Sequence, residues 1–327
     1  MHVLITGAAG MIGRKLTARL LADGELAGRA ITALSLVDVA TPTPPAGAPM
    51  KVETIAADLA DADAAARLAG ARPDVIFHLA SIVSGEAEAD LAKGYRVNLD
   101  GTRLLLEAIR AAGSAAAWHP RVVFSSSIAV FGAPFPEQID DDFLCAPLTS
   151  YGAQKAICEL LVADYSRRGI FDGIAIRLPT ICIRPGKPNL AASGFFSNIL
   201  REPLAGKPAV LPVEDGVRHW FASPRAAIGF LIHAASIDTA RVGPRRALTM
   251  PGLSATVAEE IEALRRVAGD TAVGLIRRER DATIEAIVAG WPRDFRPTRA
   301  LELGFRADAD FDAIIRAHVE DELGGRL

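Results

Sequence analysis

Residues 2–13 read HVLITGAAGMIG, a short apolar run that leads directly into three glycines. The run is typical of a buried β-strand, and the following stretch, Met11–Ala22, is rich in good helix formers. Glycines between a strand and a helix let the backbone approach a dinucleotide pyrophosphate at the helix amino terminus. A turn that merely joins the two elements is the alternative. The GxxGxxG spacing predicts a dinucleotide site with contacts from Gly7, Gly10, Met11, Ile12 and Gly13.

The first half of the chain alternates β-branched runs with longer Ala- and Leu-rich stretches. Such alternation predicts parallel strands whose crossover helices cover both faces of the sheet. The expected strands are Val3–Thr6, Ala30–Val37, Lys51–Ala56, Asp74–Leu79, Arg121–Ser125 and Gly173–Leu178, and the expected helices include Met11–Ala22, Asp61–Leu68, Leu91–Ala111 and Ser150–Arg167. The sequence therefore predicts an α/β fold, a Rossmann-type doubly wound parallel sheet with a smaller C-terminal substrate-binding lobe.

The regular alternation ends near residue 180. Ile183–Leu190 contains two prolines and a glycine, and the later segments alternate less regularly. We expect residues 1–180 to form the nucleotide-binding domain with the catalytic residues. Residues 181–327 would form mainly the substrate-binding lobe, with some segments returning to the main sheet. Its expected amphipathic helices are Thr256–Val267 and Asp310–Leu323.

Composition and charge favour a small-molecule partner. Half of the residues are apolar, 23% are charged and the net charge is −3, so nothing favours nucleic acid or an anionic membrane. Three cysteines and six histidines show no metal-ligand spacing, and we expect no metal site. No apolar run reaches the roughly 18 residues of a membrane-spanning helix. We expect a cytoplasmic protein.

The predicted second strand ends at Asp38, where a carboxylate accepts hydrogen bonds from the ribose hydroxyls of an adenosine. A carboxylate repels a 2′-phosphate, and the next two residues, Val39 and Ala40, provide no arginine to offset that repulsion. The sequence therefore predicts NAD rather than NADP as the cofactor.

Two further strand ends are expected beside the cofactor. Asp58 and Leu59 follow the third strand, where an acid reaches the adenine amino group, although Asp58 as a helix N-cap is an equally open interpretation. The loop after the fourth strand would pass beside the nicotinamide ribose. Its expected cofactor contacts are Leu79, Ala80 and Ser81. His78 itself lies in an apolar strand and is expected to be a buried core residue.

Tyr151 and Lys155 are four residues apart and therefore lie on one face of the predicted helix. A phenol is a poor base at neutral pH, and a neighbouring ammonium lowers its pKa. The alternative is a packed tyrosine and an exposed lysine on an amphipathic helix. Ser125–Ser127 places hydroxyls at the end of the fifth strand, facing the ligand crevice of such a sheet, unless they serve only turns and caps. The pattern predicts proton transfer by Tyr151.

The motifs GAAGMIG, VD, ADL, HLAS, VNLDGT, FSSSIAVFG and SYGAQK occur in this order over roughly residues 3–180. In this the chain resembles the extended short-chain dehydrogenases/reductases. The resemblance implies that Ser127 is the catalytic hydroxyl, Tyr151 the acid/base and Lys155 its pKa-lowering, ribose-binding partner. It also implies that Asn98 holds the geometry of the site, and the implied cofactor contacts include Asn98, Ser125, Tyr151, Lys155 and Pro179. One departure is Phe131, where the family usually has tyrosine.

The second lobe departs from the nucleotide-sugar members of that family. Thr180 follows the sixth strand where those members carry asparagine, and Arg225 replaces an aspartate. The stretch RLPTICIRPGKPNLAASGFFSNILREPLAGK and the later HWFASPRAA instead resemble the group that oxidises the C2 hydroxyl of a four-carbon sugar acid with NAD. For the carboxylate we expect Arg184, because guanidinium geometry is bidentate, unless it is a surface arginine. The other expected substrate contacts are Ser84, Ser127, Tyr151, Thr180, Ser193 and Asn198.

Two other functions stay open at this level. A nucleotide-sugar epimerase or dehydratase would regenerate NAD in every cycle, and an NAD-sensing regulatory protein would bind NAD without chemistry. The second has no need of Ser127, Tyr151 and Lys155 together. We also expect a homodimer, in which Leu91–Ala111 and Ser150–Arg167 of two copies form a four-helix contact.

Overall fold

The computed structural model describes residues 1–44, 46–186 and 193–326. Its strands are β1 (His2–Thr6), β2 (Glu25–Leu26), β3 (Arg29–Ala30), β4 (Ala33–Asp38), β5 (Lys51–Ala56), β6 (Val75–His78), β7 (Arg121–Ser127), β8 (Ile139–Asp140), β9 (Asp172–Leu178), β10 (Thr180–Ile181), β11 (Ala209–Leu211), β12 (Arg218–Ala222), β13 (Ala247–Thr249), β14 (Leu253–Thr256), β15 (Ile276–Arg278) and β16 (Phe295–Arg296). Its α-helices are α1 (Met11–Asp23), α2 (Ala62–Gly70), α3 (Ser84–Ala89), α4 (Leu91–Gly94), α5 (Gly101–Ala115), α6 (Ser150–Arg167), α7 (Gly194–Leu204), α8 (Pro224–Ser236), α9 (Val257–Val273), α10 (Ala282–Ala289), α11 (Thr298–Glu302) and α12 (Phe311–Glu322).

Seven parallel strands form the main sheet, in the order β13-β9-β7-β6-β1-β4-β5. The chain builds outward from β1 through β4 and β5, then returns to the other side of β1 with β6. This reversal leaves a crevice at the carboxyl ends of β1 and β6, where open α/β sheets bind ligands. A strand of the sheet corresponds to each of the six expected strands, but the expected Ala30–Val37 begins only at Ala33, because Ala30 pairs in the hairpin of β2 and β3. The predicted Rossmann-type fold is confirmed.

Alternating side chains of β1 divide the first core into two layers. Val3 and Ile5 pack with α1 and α8 on one face of the sheet, whereas Leu4 packs with α2, α5 and α6 on the other. This is the period-two alternation of a strand that is covered on both faces. The apolar runs of the sequence follow from this double burial.

A second apolar core lies in the second half of the chain. It joins α7, α9 and α12 to a small sheet in which β12 pairs with β10 and β14. Two other segments from beyond residue 180 belong to the main sheet, because β13 pairs with β9 and α8 packs against β7 and β9. Residues after 180 therefore contribute to both cores.

A buried ion pair fixes α6 to the main sheet. Arg177 on β9 donates to Glu159 on α6 from Nε at 2.9 Å and from Nη2 at 2.8 Å. The Ser126 hydroxyl donates to the same carboxylate at 2.5 Å. The Glu159 and Arg177 side chains are only 6% and 13% exposed. Because both charges are taken out of water, the pair holds α6 in register only while both partners are present.

We predict that Glu159→Ala lowers the free energy of unfolding by about 3–5 kcal/mol, because it leaves the Arg177 charge buried without a partner. The double variant Glu159→Leu with Arg177→Met removes both charges and should lose much less. Urea denaturation of the two variants and the unchanged protein measures the difference. Equal losses in the single and double variants would contradict this account of the pair.

Candidate active site

The glycine turn after β1 lies tightly against the loop after β6. Gly7 has a φ of +73°, and a Cβ atom there would lie 2.7 Å from the Ala80 backbone nitrogen. A Cβ at Gly13 would lie 2.3 Å from the Gly7 carbonyl oxygen. Gly10 caps α1 without a side-chain hydrogen bond. Glycine is therefore required for close packing at Gly7 and Gly13, and the amino end of α1 faces the crevice without a side-chain cap.

A carboxylate borders this turn. Asp38, at the end of β4, accepts from the backbone N–H of Ala9 at 2.9 Å and of Val39 at 2.8 Å. The uncapped helix end, the glycine backbone and this carboxylate fit a dinucleotide: the first two suit its pyrophosphate and the third its ribose. The predicted cofactor residues of the turn thus lie together.

Asp58 lies close to the same end of the sheet and is already paired. Arg96 donates to its carboxylate at 2.7 Å, and the backbone N–H of Ala60 donates to it at 2.9 Å. The Arg96 hydrogen bond, together with the Ala60 N–H, lowers the pKa of Asp58. The N-cap of α2 is Asp61, so the alternative interpretation of Asp58 as that cap is wrong.

His78 is buried, as expected, and joins three elements. Thr102 donates its one hydroxyl hydrogen to the Asn98 carbonyl oxygen at 2.7 Å, so it accepts from Nε2–H of His78 at 2.9 Å. The other ring nitrogen, Nδ1, then accepts from the Thr6 hydroxyl at 2.7 Å. Burial, followed by the charge of Lys155, lowers the pKa of His78 to about 3. The ring is therefore a neutral structural link and not a base.

Asn98 lies in a π-helical turn, Tyr95–Asp100, that divides the expected helix Leu91–Ala111 into α4 and α5. Its side-chain oxygen accepts from the Ser81 hydroxyl at 2.9 Å and from the Ile82 N–H at 2.8 Å. Its nitrogen donates to the Gln154 side chain at 2.7 Å. Asn98 thereby connects the loop after β6 to α6, the helix of Tyr151.

Tyr151 and Lys155 lie on one face of α6, as their spacing predicts. Lys155 is only 2% exposed, and its Nζ lies 5.6 Å from the centre of the Tyr151 ring and 4.8 Å from that of Phe124. It donates to the Ser125 carbonyl oxygen at 2.8 Å. Burial lowers the pKa of Lys155 to about 8. The interpretation of this lysine as an exposed surface group is wrong.

The phenol of Tyr151 is shifted in the direction opposite to the sequence expectation. Burial raises its pKa to about 12, against the opposing effects of the Ser127 and Ser81 hydroxyls and of Arg184. Lys155 does not offset this effect of burial: its Nζ donates to the Ser125 carbonyl oxygen and lies 5.6 Å from the centre of the tyrosine ring. The chain's own charges therefore do not make Tyr151 a phenolate at neutral pH.

Arg184 is half-buried, its charge acts on this phenol, and it is not a surface arginine. Its Nε donates to the Ile181 carbonyl oxygen at 3.0 Å and its Nη2 to the Ser193 hydroxyl at 2.7 Å. Burial lowers the pKa of Arg184, although the nearby Tyr151 opposes that effect. The two hydrogen bonds fix the direction of the guanidinium plane.

The remaining expected substrate contacts divide into two groups. Thr180 bonds to His219 at 2.7 Å, near Arg184, and Ser84 begins α3, in the segment that follows the loop after β6. Asn198 instead accepts from Arg201 at 2.7 Å. It lines a cavity of about 390 Å³ to which neither Tyr151 nor Arg184 contributes. The other lining residues are Glu202, Lys207, Pro208, Ala209 and Val210.

Two departures from the family pattern have structural explanations. Phe131 packs against Phe143 and Phe295, and the Arg177 guanidinium lies 4.9 Å from its ring centre. Arg225 pairs with Glu320 and with Asp321 on α12. Phe131 is thus part of a core, and the aspartate-to-arginine change lies in a partly exposed ion-pair cluster.

The pattern of the NAD dependent epimerase/dehydratase family matches residues 3–222. The chain belongs to this family. It is 48% identical over 325 residues to D-erythronate dehydrogenase of Cupriavidus necator, covering 98% of both chains. It is 42% identical to D-erythronate dehydrogenase of Haemophilus influenzae, covering 99% of this chain and 100% of that one. The crystal structure of the nucleoside-diphosphate-sugar epimerase from Agrobacterium tumefaciens, 64% identical, has a TM-score of 0.98 and covers 99% of this chain and 95% of that chain.

Membership of the epimerase/dehydratase family and the two dehydrogenase relatives confirm an NAD-dependent oxidoreductase that acts on CH–OH groups. Within the described residues, no three His, Cys, Asp or Glu side chains are grouped to hold a metal ion. A helix with the length and hydropathy to cross a membrane is likewise missing from residues 1–44, 46–186 and 193–326.

Sequence reasoning missed several polar residues of the site. The links made by Thr102, Gln154 and His219 were not expected, although each lies in a motif quoted above: VNLDGT, SYGAQK and HWFASPRAA. A polar residue inside an otherwise matching motif was the available signal. Its partners, however, come from distant parts of the chain.

We predict that Lys155→Met lowers turnover by roughly two or more orders of magnitude without lowering stability near pH 7. The pKa of Lys155 is lowered in the folded protein, so its burial is destabilising while it is charged. This penalty is relieved as pH rises from about 8 towards the ordinary value of 10.5. Across that window the free energy of unfolding of the unchanged protein should rise relative to the variant.

Urea denaturation at several pH values measures this difference, and Lys51→Met, at an exposed position of β5, is the control. A stability difference that stays flat from about pH 8 to 10.5 would show that Lys155 is not destabilised by burial.

Proposed function

We propose that the chain oxidises the C2 hydroxyl of D-erythronate to the 2-oxo acid with NAD. The observation that carries the proposal is the half-buried guanidinium of Arg184, which donates to the Ile181 carbonyl oxygen just beyond the end of β9, where Leu178 pairs with Ser127. Its charge acts on the phenol of Tyr151, so it supports a carboxylate partner for a substrate held by this acid/base group. Two relatives named D-erythronate dehydrogenase, similar over nearly their whole length, support the choice of acid.

In the proposed reaction, two hydroxyl groups of the protein act on the alcohol of the substrate. Tyr151 removes the proton from the C2 hydroxyl, and Ser127 holds its oxygen. The Ala129 N–H donates to Ser127 Oγ at 3.1 Å, which occupies one lone pair and leaves the serine hydrogen for the substrate or the phenol. When bound, NAD supplies the hydride acceptor and a positive charge. Such a charge opposes the burial that keeps Tyr151 protonated.

The cofactor contacts are proposed from the same geometry. Lys155 would hold the ribose, since its buried ammonium stands at the carboxyl end of β7 beside the crevice. The remaining proposed contacts are Gly7, Gly10, Met11, Ile12, Gly13, Asp38, Asp58, Leu59, Leu79, Ala80, Ser81, Asn98, Ser125, Tyr151 and Pro179.

For the substrate carboxylate we propose Arg184, with its guanidinium oriented by Ser193 and Ile181. A charge-assisted bond to a carboxylate is short and about twice as strong as a neutral one. Ser84 and Thr180 are proposed contacts for the hydroxyls. We do not propose Asn198, because its side chain is hydrogen-bonded to Arg201 and lines the separate cavity of about 390 Å³.

A nucleotide-sugar epimerase is the second candidate, because the 64% identical Agrobacterium protein carries such a name. Thr180 and Arg225 argue against it, since they replace the asparagine and the aspartate of nucleotide-sugar members. An epimerase regenerates its cofactor in each turnover, whereas the proposed dehydrogenase accumulates NADH. Near-ultraviolet absorbance with D-erythronate and with a panel of nucleotide sugars therefore separates the two functions.

We predict that Tyr151→Phe lowers kcat with D-erythronate by roughly 100-fold or more and leaves NAD affinity nearly unchanged. The variant removes only the hydroxyl that moves the proton. Tyr165→Phe is a matched control, because Tyr165 lies elsewhere on α6 and donates to Glu107 on α5. NADH formation gives kcat, and fluorescence titration gives the NAD affinity. Undiminished turnover in Tyr151→Phe would remove Tyr151 from the mechanism.

We propose a homodimer and a cytoplasmic location as well. Four apolar side chains remain exposed along α4, the π-helical turn and α6, and they are Leu91, Tyr95, Ile157 and Leu160. Leu91 is 59% and Leu160 72% exposed, and the grouping of these side chains on contacting segments favours a partner surface. The three cysteines are unpaired, as in proteins of a reducing compartment.

We predict that Leu160→Glu converts the dimer into a monomer, because the substitution places a charge in the centre of the proposed apolar contact. Light scattering coupled to size-exclusion chromatography measures the mass. Leu301→Glu, at an exposed position of α11, is the control and should leave the mass unchanged. A dimer that persists in Leu160→Glu would place the contact elsewhere.

A further inference from the structure

A buried histidine of the second lobe is held by aromatic rings. His219 on β12 is 3% exposed and lies parallel to Phe196, with ring centres 5.3 Å apart and planes at 2°. The Trp291 ring centre is also 5.3 Å away, and Phe221 contacts the ring edge-on at 5.4 Å. These contacts leave the imidazole little freedom to rotate, so its hydrogen bonds are fixed in direction.

The partners of the ring determine which nitrogen carries the proton. Nδ1 of His219 lies 3.0 Å from the carbonyl oxygen of Pro292, which can only accept. Nδ1 therefore carries the hydrogen. Burial, followed by the charge of Arg184, lowers the pKa of His219 to about 4, despite the Pro292 bond. At neutral pH the ring is uncharged, and Nε2 offers a lone pair.

This lone pair orients the hydroxyl of Thr180. Thr180 Oγ1 lies 2.7 Å from Nε2 of His219, so the threonine donates its one hydrogen to the ring. The half-buried threonine oxygen can then only accept hydrogen bonds from other groups. Thr180 lies two residues beyond Leu178, the last residue of β9, which pairs with Ser127 at the carboxyl end of β7. It therefore lies at the edge of the sheet that carries the proposed catalytic hydroxyl, and Arg184, four residues later, donates to the intervening Ile181 carbonyl oxygen.

We infer that His219 fixes Thr180 as a hydrogen-bond acceptor towards the substrate, so that the site selects acids with a hydroxyl beyond the reacting carbon. The inference rests on the proposed oxidation of a hydroxy acid. His219 is a positioning residue, because it acts on the substrate only through Thr180. Thr180 would determine specificity.

Thr180 and Arg184 then have opposite polarities. The guanidinium offers only donors and suits the carboxylate, whereas Thr180 offers only lone pairs and repels a carboxylate oxygen. A sugar acid can therefore bind in one direction, with its carboxylate at Arg184 and its distal hydroxyl at Thr180. An acid without that hydroxyl leaves the lone pairs of the threonine oxygen without a donor, so the site disfavours it by the value of one hydrogen bond.

The first test compares D-erythronate with its two analogues in which hydrogen replaces the C3 or the C4 hydroxyl. Thr180→Val exchanges the hydroxyl for a methyl group of similar size. We expect it to lower kcat/KM for D-erythronate roughly 2- to 12-fold, mostly through KM, as for one neutral hydrogen bond. It should have no effect on the analogue that lacks the bonded hydroxyl. Thr180→Ser retains a hydroxyl and should keep the discrimination.

The second test changes His219 in two ways. Asn reaches only the position of Nδ1, so His219→Asn keeps a donor for Pro292 and frees the Thr180 hydroxyl. Gln reaches the position of Nε2, so His219→Gln retains an acceptor for Thr180. We expect the Asn variant to lose discrimination as Thr180→Val does and the Gln variant to retain it. Combining His219→Asn with Thr180→Val should add nothing, because both act through one bond.

NAD affinity and the thermal midpoint report whether each variant is folded. The inference is overturned if Thr180→Val keeps the full discrimination between D-erythronate and both analogues. It is also overturned if the His219→Asn and Thr180→Val effects are additive. Failure of the proposed function differs from these results: the unchanged protein would bind NAD and form no NADH with any of the three acids.

Discussion

The side-chain amide of Asn98 makes hydrogen bonds in all four of its directions while it is almost fully buried. Its oxygen accepts from Ser81 and from Ile82, and its nitrogen donates to Gln154 and, at 3.3 Å, to the Ile82 carbonyl. A fully satisfied buried amide resists displacement, because any movement leaves a polar atom unpaired in a low dielectric. The loop after β6, the π-helical turn and α6 therefore hold one arrangement. The Ser81 hydroxyl beside the Tyr151 phenol depends on it.

Desolvation shifts both reactive groups of α6 towards their neutral forms. It lowers the pKa of Lys155 to about 8 and raises the pKa of Tyr151 to about 12. Burial thus penalises both the ammonium and the phenolate, and a nearby charge then changes their protonation more than it would in water. The rigid frame around Asn98 allows this, because groups that are costly to bury stay in place only where the surrounding structure determines their positions. The burial that makes Lys155 and Tyr151 reactive therefore also lowers the local stability of the protein.

Much of the fold could be predicted from apolar periodicity, since strands covered on both faces must be continuously apolar. The bounds of Lys51–Ala56 and Ser150–Arg167 were predicted to the residue. The π-helical turn could not be, because one extra backbone residue per turn leaves no side-chain signature. Nor could β13, whose three residues are too few to show a period. The direction of the Tyr151 shift depends on burial by loops distant in sequence, whereas the spacing to Lys155 predicts only a shared helix face.

Two of the buried histidines, His78 and His219, show why site chemistry needs coordinates even when motifs are specific. His78 and His219 both lie in apolar strands, both are neutral, and each has its tautomer set by its hydrogen-bond partners. From the sequence, only His78 was predicted to be a buried core residue. The difference lies in the threonine that each one contacts. Thr102 donates its hydroxyl hydrogen to the Asn98 carbonyl oxygen, so these hydrogen bonds are satisfied within the protein. The Thr180 hydrogen is used on the ring itself, which leaves the oxygen directed by His219 and free to accept. The same pair of residue types therefore stabilises the frame in one lobe and, in our proposal, selects the substrate in the other.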